Sequence, residues 1–293
     1  MRKVFSVITI IVLILGLTLA CVACNGNENP NGEETSLPEI TLTDTMTVDD
    51  VKAELAKVKS FTLIGTDDGA KQMIKVEIDK LARWTQEKDG VQSERLFVGV
   101  VENRAFFINF ESEKCIIYDV KGLDIDLLSG MDEFSIDELI ESFYYDDYSI
   151  VDGTIVCDGI VYKDFNKTVA GLPEGFDTYK SKETTSDAIG YTDIDENTCE
   201  ISNFNLRFKS FAVPDTHNGK TVVRISADSI YIQKLTLGKN IKYLPNNTSV
   251  ASYKHGMEIT YLGTKEEWSK ITNSSIWEKH DVKIICLDGE IEK

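Results

Sequence analysis

The stretch Tyr148–Lys163 reads YSIV-DG-TIVC-DG-IVYK, three short apolar runs joined by two Asp-Gly pairs. Asp-Gly is the pair that a two-residue hairpin turn favours, because both central residues need positive φ. The stretch therefore predicts a three-stranded antiparallel meander. The same grammar extends upstream. Ile74, Val76 and Ile78 alternate with Lys75, Glu77 and Asp79, as in a strand with one face in water. Asp89-Gly90 separates LARWTQEK from VQSERLFVGVV, Glu102-Asn103 separates LFVGVV from RAFFINF, and a turn near Ser112 leads to CIIYDV. Successive hairpins with no helix between them build an antiparallel meander rather than βαβ units.

Two helical phrases flank these strands. Val48, Val51, Leu55 and Val58 fall at steps of three and four, with Thr47 as cap and Asp49 and Asp50 favourable in the first turn. Ile136, Leu139, Ile140 and Phe143 repeat that spacing behind a Ser135/Glu138 capping box. Residues 46–182 thus read as one α+β domain, a meander packed by one or two helices. The polar joint Lys180–Ala188 (KSKETTSDA) sets the boundary to a second domain, residues 183–293.

The chain begins Met-Arg-Lys, continues with an uninterrupted apolar run from Val4 to Leu19, and reaches Cys21 and Cys24 through small residues. A short basic start, an apolar core and small residues describe an export signal, and the run falls short of the roughly 20 apolar residues of a bilayer span. Residues 25–45 are rich in Asn, Gly, Glu, Pro and Thr, with little to bury. They read as a disordered tether reaching on the order of 25 Å.

The 293 residues carry 31 basic and 49 acidic side chains. Removing residues 1–20 takes away Arg2 and Lys3 and moves the net charge from −18 to −20, that is 29 against 49. Such a surface repels nucleic acid and anionic head groups, and it keeps an exported protein soluble. Of the six cysteines, Cys115, Cys157, Cys199 and Cys286 fall in the folded part. Export permits disulfides, four cysteines allow three pairings, and buried free thiols fit equally well.

Three resemblances follow. A cysteine at the end of the signal resembles the lipobox of bacterial lipoproteins. It implies cleavage after residue 20 and a diacylglycerol on Cys21, with Cys24 as the alternative. The order of elements in residues 46–182 resembles, in topology only, the LolA/LppX-like half-barrel lipoproteins. That family encloses an acyl chain, which would make Phe97, Phe106, Phe107, Phe110 and Phe143 cavity-lining residues; the residues by themselves favour the plainer reading, that these aromatics fill a close-packed core.

The C-terminal part resembles the BspA-type leucine-rich repeat of bacterial surface proteins. The matching positions are Val213-Pro214, Asn218-Gly219-Lys220, Val222, Ile225, Leu235-Thr236-Leu237 and Ile241. The closing segment adds Ile259, Tyr261, Gly263-Thr264, Glu267-Trp268, Ile271, Trp277, Val282, Cys286, Asp288-Gly289 and Ile291. Leu235 and Leu237 would point inward from a short strand, Thr264 and Glu267 would form a capping box, and Trp277 would seal the stack. There is room for one and a half to two coils. The expected fold class is therefore α+β: a half-barrel-like meander with packing helices, followed by a small β-rich repeat module.

No constellation announces a reaction. His217, His255 and His280 offer no metal-binding pair, and zincin, Walker and serine-elbow motifs are missing. Asp193-x-Asp195-x-Asn197 starts like a calcium loop, but Thr198 stands where that loop needs glycine and Phe204 where it needs glutamate. It reads as a solvated acidic loop. The expectation is a non-catalytic, cofactor-free protein, lipid-anchored on the extracytoplasmic face of the cell membrane. It would bind an extracellular protein or glycan through its C-terminal module, and no nucleic acid. The alternative is a carrier of lipid or another small apolar ligand in the N-terminal domain.

Overall fold

The computed structural model describes residues 37–128, 139, 140, 143, 148–182, 186–227, 229–246, 249, 250, 256–278 and 282–291. The signal, Cys21, Cys24 and most of the tether lie outside the described residues, as do Ser135, Ile136 and Glu138 of the second helical phrase. Two compact units emerge. One takes residues 37–118 with the chain from Leu127 to Thr185, the other Asp119–Asp126 with Ser186–Lys293.

The first unit opens with helix α1 (Val48–Leu55). Thr47 and Asp50 cap it reciprocally, and Val51 and Leu55 are its buried stripe. Six strands follow as a meander: β1 (Ser60–Asp67), β2 (Ala70–Glu77), β3 (Leu81–Lys88), β4 (Val91–Val101), β5 (Arg104–Asn109) and β6 (Lys114–Asp119). After β7 (Asp124–Ile125), which belongs to the other unit, come β8 (Tyr148–Val151), β9 (Thr154–Cys157) and β10 (Ile160–Lys163). Their hairpins turn at Asp152-Gly153 and Asp158-Gly159, where φ is 50°, 72°, 45° and 77°. Strand β10 then pairs with β1, giving a nine-stranded sheet of order β6-β5-β4-β3-β2-β1-β10-β9-β8 in which every described pairing is antiparallel.

Register sorts the side chains to two faces. One row crosses the sheet as Ile150, Ile155, Tyr162, Leu63, Ile74, Trp84 and Leu96. All of these but Tyr162 are buried. On the opposite face a strap, residues 164–182, runs across β1 to β5 and ends in helix α2 (Phe176–Lys180). Thr168 hydrogen-bonds Thr62 (2.8 Å), the Ala170 amide donates to Glu77 Oε1 (3.0 Å), and Arg83 donates to the Ala170 carbonyl (3.3 Å). Asn166 ties the strap's start to the chain before β1. Its Oδ1 accepts from the amides of Lys59 and Ser60, and its Nδ2 donates to the carbonyls of Pro38 and Lys57.

In the second unit the main ladders are parallel, each strand pairing with one a whole coil further along the sequence, and antiparallel strands flank them. The elements are β11 (Ile189–Asp193), β12 (Thr198–Phe204), β13 (Phe208–Ala212), β14 (Thr216–His217), β15 (Lys220–Ile225), β16 (Ser229–Ile230), β17 (Ile232–Leu237), β18 (Ser249–Val250) and β19 (Met257–Tyr261). Helices α3 (Lys265–Trp268) and α4 (Ser274–Trp277) and strands β20 (Val282–Cys286) and β21 (Gly289–Glu290) complete it. Strands β13, β17, β19 and β20 form a parallel ladder in which Phe208 faces Ile232, Lys234 faces Glu258 and Glu258 faces Lys283. The first two coils are equal in length, and the third is longer by a single position. On the other side of each coil β12 and β15 pair in parallel, continued by single bridges from Arg224 to Tyr243 and from Tyr243 to Thr272. Phe211, Leu235, Ile259 and Ile284 stack in register and are buried, as a solenoid core requires.

This overturns the expected α+β class. The molecule is β-rich, a large antiparallel sheet plus a β-solenoid of about three turns, not a half-barrel with packing helices. The first helical phrase forms a helix of 8 residues and the strap ends in one of 5; most of the strap that crosses the sheet is non-helical chain. The solenoid is also longer than the one and a half to two coils expected. Its first coil, β12 and β13, stacks Cys199, Ile201, Phe208 and Phe211 at positions where leucine repeats give no signal. Finally, β7 adds a chain segment from the middle of the expected first domain to the second unit.

Candidate binding surface

The five aromatics offered as possible cavity lining do not converge. Phe97 and Phe106 share the strap face and meet Phe176 edge-on at centroid distances of 5.4 and 4.9 Å. Phe110, just past the end of β5, meets Tyr179 at 5.7 Å. Phe107 points to the other face and packs on Tyr118 at 5.8 Å, while Phe143 packs on Tyr148 at 4.4 Å. The strap thus supplies the partners of three of them, and edge-to-face rings are a favourable way to fill an interior. A separate open recess of about 300 Å³ is lined by Ile40, Asp152, Gly153, Thr154, Lys163 and Lys167 among others, mostly polar groups.

The acidic loop at Asp193 folds on its own amides. Asp195 Oδ1 accepts from the amides of Asn197 (2.8 Å) and Thr198 (2.7 Å), which hold its carboxyl below the usual range. Lys220 supplies the positive charge, 2.7 Å from Asp193 Oδ2 and donating to the Asp195 carbonyl at 2.9 Å. Nearby, His217 stacks flat on Tyr191 at 3.7 Å and 4°. Cys199 is buried beside this pair, with Sγ 3.9 Å from the Lys220 carbonyl. Burial pushes its thiol up, the wrong direction for a thiolate nucleophile. Cys115 and Cys286 are free thiols also pushed up by burial, and Cys157 is buried on β9.

The feature with the geometry of a recognition surface is the outer side of the parallel ladder. Alternation that sends Leu235, Ile259 and Ile284 inward sends Lys234, Glu258 and Lys283 outward in one row, with Thr236, Thr260 and Ile285 in the next. Strands about 4.8 Å apart thus present side chains on a regular grid. Lys283 stands 3.5 Å from Glu258 and 3.8 Å from Glu290. On the β15 side of the coils, Glu200 pairs with Arg224 at 3.1 Å, and the Arg224 guanidinium lies 3.9 Å over the Tyr243 ring. Sequence reading singles out Thr236 only as part of a repeat phrase and misses the rest of both rows. The signal that finds them is the coil length itself. The span from Phe208 to Ile232, laid off from Lys234, lands on Glu258, and laid off again it ends one position before Lys283.

The closing segment behaves as its residues suggest. Thr264 and Glu267 cap α3 reciprocally at 2.8 and 3.2 Å, and the Thr264 amide, then Lys239, hold the Glu267 carboxyl low. Trp268 and Trp277 are fully buried and spend their indole N–H groups on Glu278 (2.9 Å) and the Pro245 carbonyl (3.0 Å). Among the described residues no helix is long and apolar enough to cross a membrane. A scan against protein-family profiles found no match, and a comparison with curated proteins found none either.

Proposed function

We propose that this chain is a non-catalytic protein held on the extracytoplasmic face of a bacterial cell membrane by a diacylglycerol on Cys21, with Cys24 the alternative acceptor. It binds an extracellular protein or glycan through the outer side of its solenoid. The observation that carries this reading is the two-row grid of Lys234, Glu258, Lys283, Thr236 and Thr260 on consecutive parallel strands. Repeated polar positions on a rigid stack suit recognition of an extended partner. The acidic chain keeps nucleic acid away.

The test uses the whole chain displayed on bacterial cells against matrix-protein and glycan arrays. Changing Lys234→Glu, Thr236→Arg and Lys283→Glu together should abolish the binding seen with the parent, at unchanged surface level and unchanged circular dichroism. Undiminished binding by the triple variant defeats the assignment of the surface. The anchor is tested separately by metabolic labelling with an alkyne fatty acid. Label should vanish in Cys21→Ala and persist in Cys24→Ala; the reverse moves the anchor to Cys24, and label in neither parent nor variants removes it.

A further inference from the structure

Each end of the parallel ladder is closed by a two-residue strand running antiparallel to it, β7 against β13 and β21 against β20. The two closures differ in origin. Strand β21 follows β20 through a tight turn and folds back on its own neighbour, Ile285 facing Glu290 and Cys286 facing Gly289. Strand β7 comes from far upstream, Ile125 facing Phe208, and the chain on both sides of Asp119–Asp126 belongs to the other unit.

The upstream segment is seated by side chains as well as by pairing. Ile125 is 0% exposed. Asp124 Oδ2 accepts from Ser210 Oγ at 2.5 Å. The Asp126 amide donates to the Arg207 carbonyl at 3.0 Å, and Asp126 Oδ2 accepts from Gln233 Nε2 at 3.2 Å. The site thus reads an extended acid–β-branched–acid triplet: an apolar hole flanked by a hydroxyl donor and an amide donor. Main-chain pairing supplies affinity in such strand addition, and pockets for alternate side chains supply selectivity.

We propose that the edge of β13 facing away from β17 is a strand-addition slot and that Asp119–Asp126 is its built-in occupant, a plug that closes the solenoid's first coil. An edge left open at this point offers a row of unpaired backbone groups to any extended segment, a second copy's included. The plug is distant in sequence, and no hairpin turn joins it to β13. A segment carrying the same triplet therefore satisfies the slot from another chain.

The experiment uses the full chain and a fluorescein-labelled peptide of residues 119–128. The parent, whose slot is filled, should leave the peptide free. The Ile125→Asp variant, which places a charge in the apolar hole, should bind it saturably at one per chain and at least tenfold more tightly than the parent. A peptide carrying Ile125→Asp should bind neither. Equal peptide binding by parent and variant, or none by a variant whose tryptophan emission matches the parent, overturns the slot. Should Ile125→Asp fail to fold, Ile125→Ala with hydrogen exchange decides. Amides of Phe208–Ala212 should exchange at least tenfold faster while those of β17 and β19 hold, and unchanged exchange in β13 overturns the proposal.

Discussion

The two units order their strands by opposite means. In the nine-stranded sheet most neighbours are adjacent in sequence, and short turns set the register: Asp68-Gly69, Asp89-Gly90, Asp152-Gly153 and Asp158-Gly159 all carry positive φ at both residues. In the solenoid, ladder neighbours lie a whole coil apart in sequence and no hairpin joins them. Register there comes from stacked side chains such as Phe211, Leu235, Ile259 and Ile284, and from what closes the ends. A sheet of hairpins is specified piece by piece. A solenoid is specified by the fit of each coil to the next, so damage to one coil reaches its neighbours.

The largest test of that difference is Trp277→Ala. The indole is fully buried and ties α4 to the Pro245 carbonyl, and its loss should cost about 3–5 kcal/mol. Hydrogen exchange should show lost protection through β17, β19 and β20 while β1–β5 hold. Phe97→Ala, a comparable truncation beneath Phe176, should give the mirror result. Uniform loss in both variants would mean that the two units share one stability, and the contrast would fall.

Smaller effects come from glycines, which are of two kinds in both units. At Gly263 an added Cβ would overlap the Tyr261 ring and lie 2.9 Å from Glu267 Oε2, so Gly263→Ala must displace a buried tyrosine. At Gly99 it would lie 2.7 Å from Phe97 and 2.9 Å from Leu81 Cβ. Both changes should cost about 1–3 kcal/mol in chemical denaturation. Gly69→Ala meets nothing within 4 Å and should cost less, through its φ of 75° alone. Equal costs at Gly69 and Gly263 would show that the Tyr261 ring yields to the added methyl and that close approach carries no extra cost there.

The helix caps are comparable across the units. Thr47→Ala and Thr264→Ala each remove one side of a reciprocal cap and should each cost about 1 kcal/mol by urea titration. Alkali acts on the solenoid through buried acids. Burial raises the phenols of Tyr191 and Tyr261 and the thiols of Cys199 and Cys286 in the solenoid, and the thiol of Cys115 in the sheet unit. A raised acid is held in its neutral form by the fold. Stability is therefore full below the ordinary values of about 8.5 and 10 and falls as pH rises past them towards the shifted values. The solenoid's melting temperature should therefore fall as pH rises above about 9, and a flat profile to about pH 11 would remove this contribution.

How much of this the sequence discloses follows the same division. The hairpins are legible because Asp-Gly and Glu102-Asn103 state a turn within two residues. Asp68-Gly69 obeys the same rule, yet it is passed over when alternation is sought only after it. The closing segment is legible at the start of α3, where Thr264 and Glu267 state a reciprocal cap. The first coil is not, since its buried Cys199, Ile201, Phe204, Phe208 and Phe211 form no repeated phrase in the sequence. Neither is the return of β10 to β1, nor β7, because no local pattern states which distant edge a strand will join. The aromatics mislead when read by type and not by parity: Phe106 and Phe107 are adjacent in β5 and so point to opposite faces. The outer grid escapes for a related reason. Lys234, Glu258 and Lys283 look like scattered surface charges until the coil length aligns them.

The smallest expected effect bears most on function. Lys283 sits between Glu258 at 3.5 Å and Glu290 at 3.8 Å, with half of its side chain exposed. An exposed pair of this kind contributes about 0.2–1 kcal/mol, and ions at 1 M screen charges beyond about 3 Å. Lys283→Ala should therefore lower stability by less than about 1 kcal/mol, and the difference from the parent should vanish in 1 M salt. A larger, salt-independent loss would make the row a structural brace of the ladder. The grid would then exist to hold the coils together, and its claim to be a binding surface would weaken. A small, salt-sensitive loss leaves the row stable without need of its charges, so that a fall in partner binding on changing Lys283 can be read as lost contact rather than lost fold.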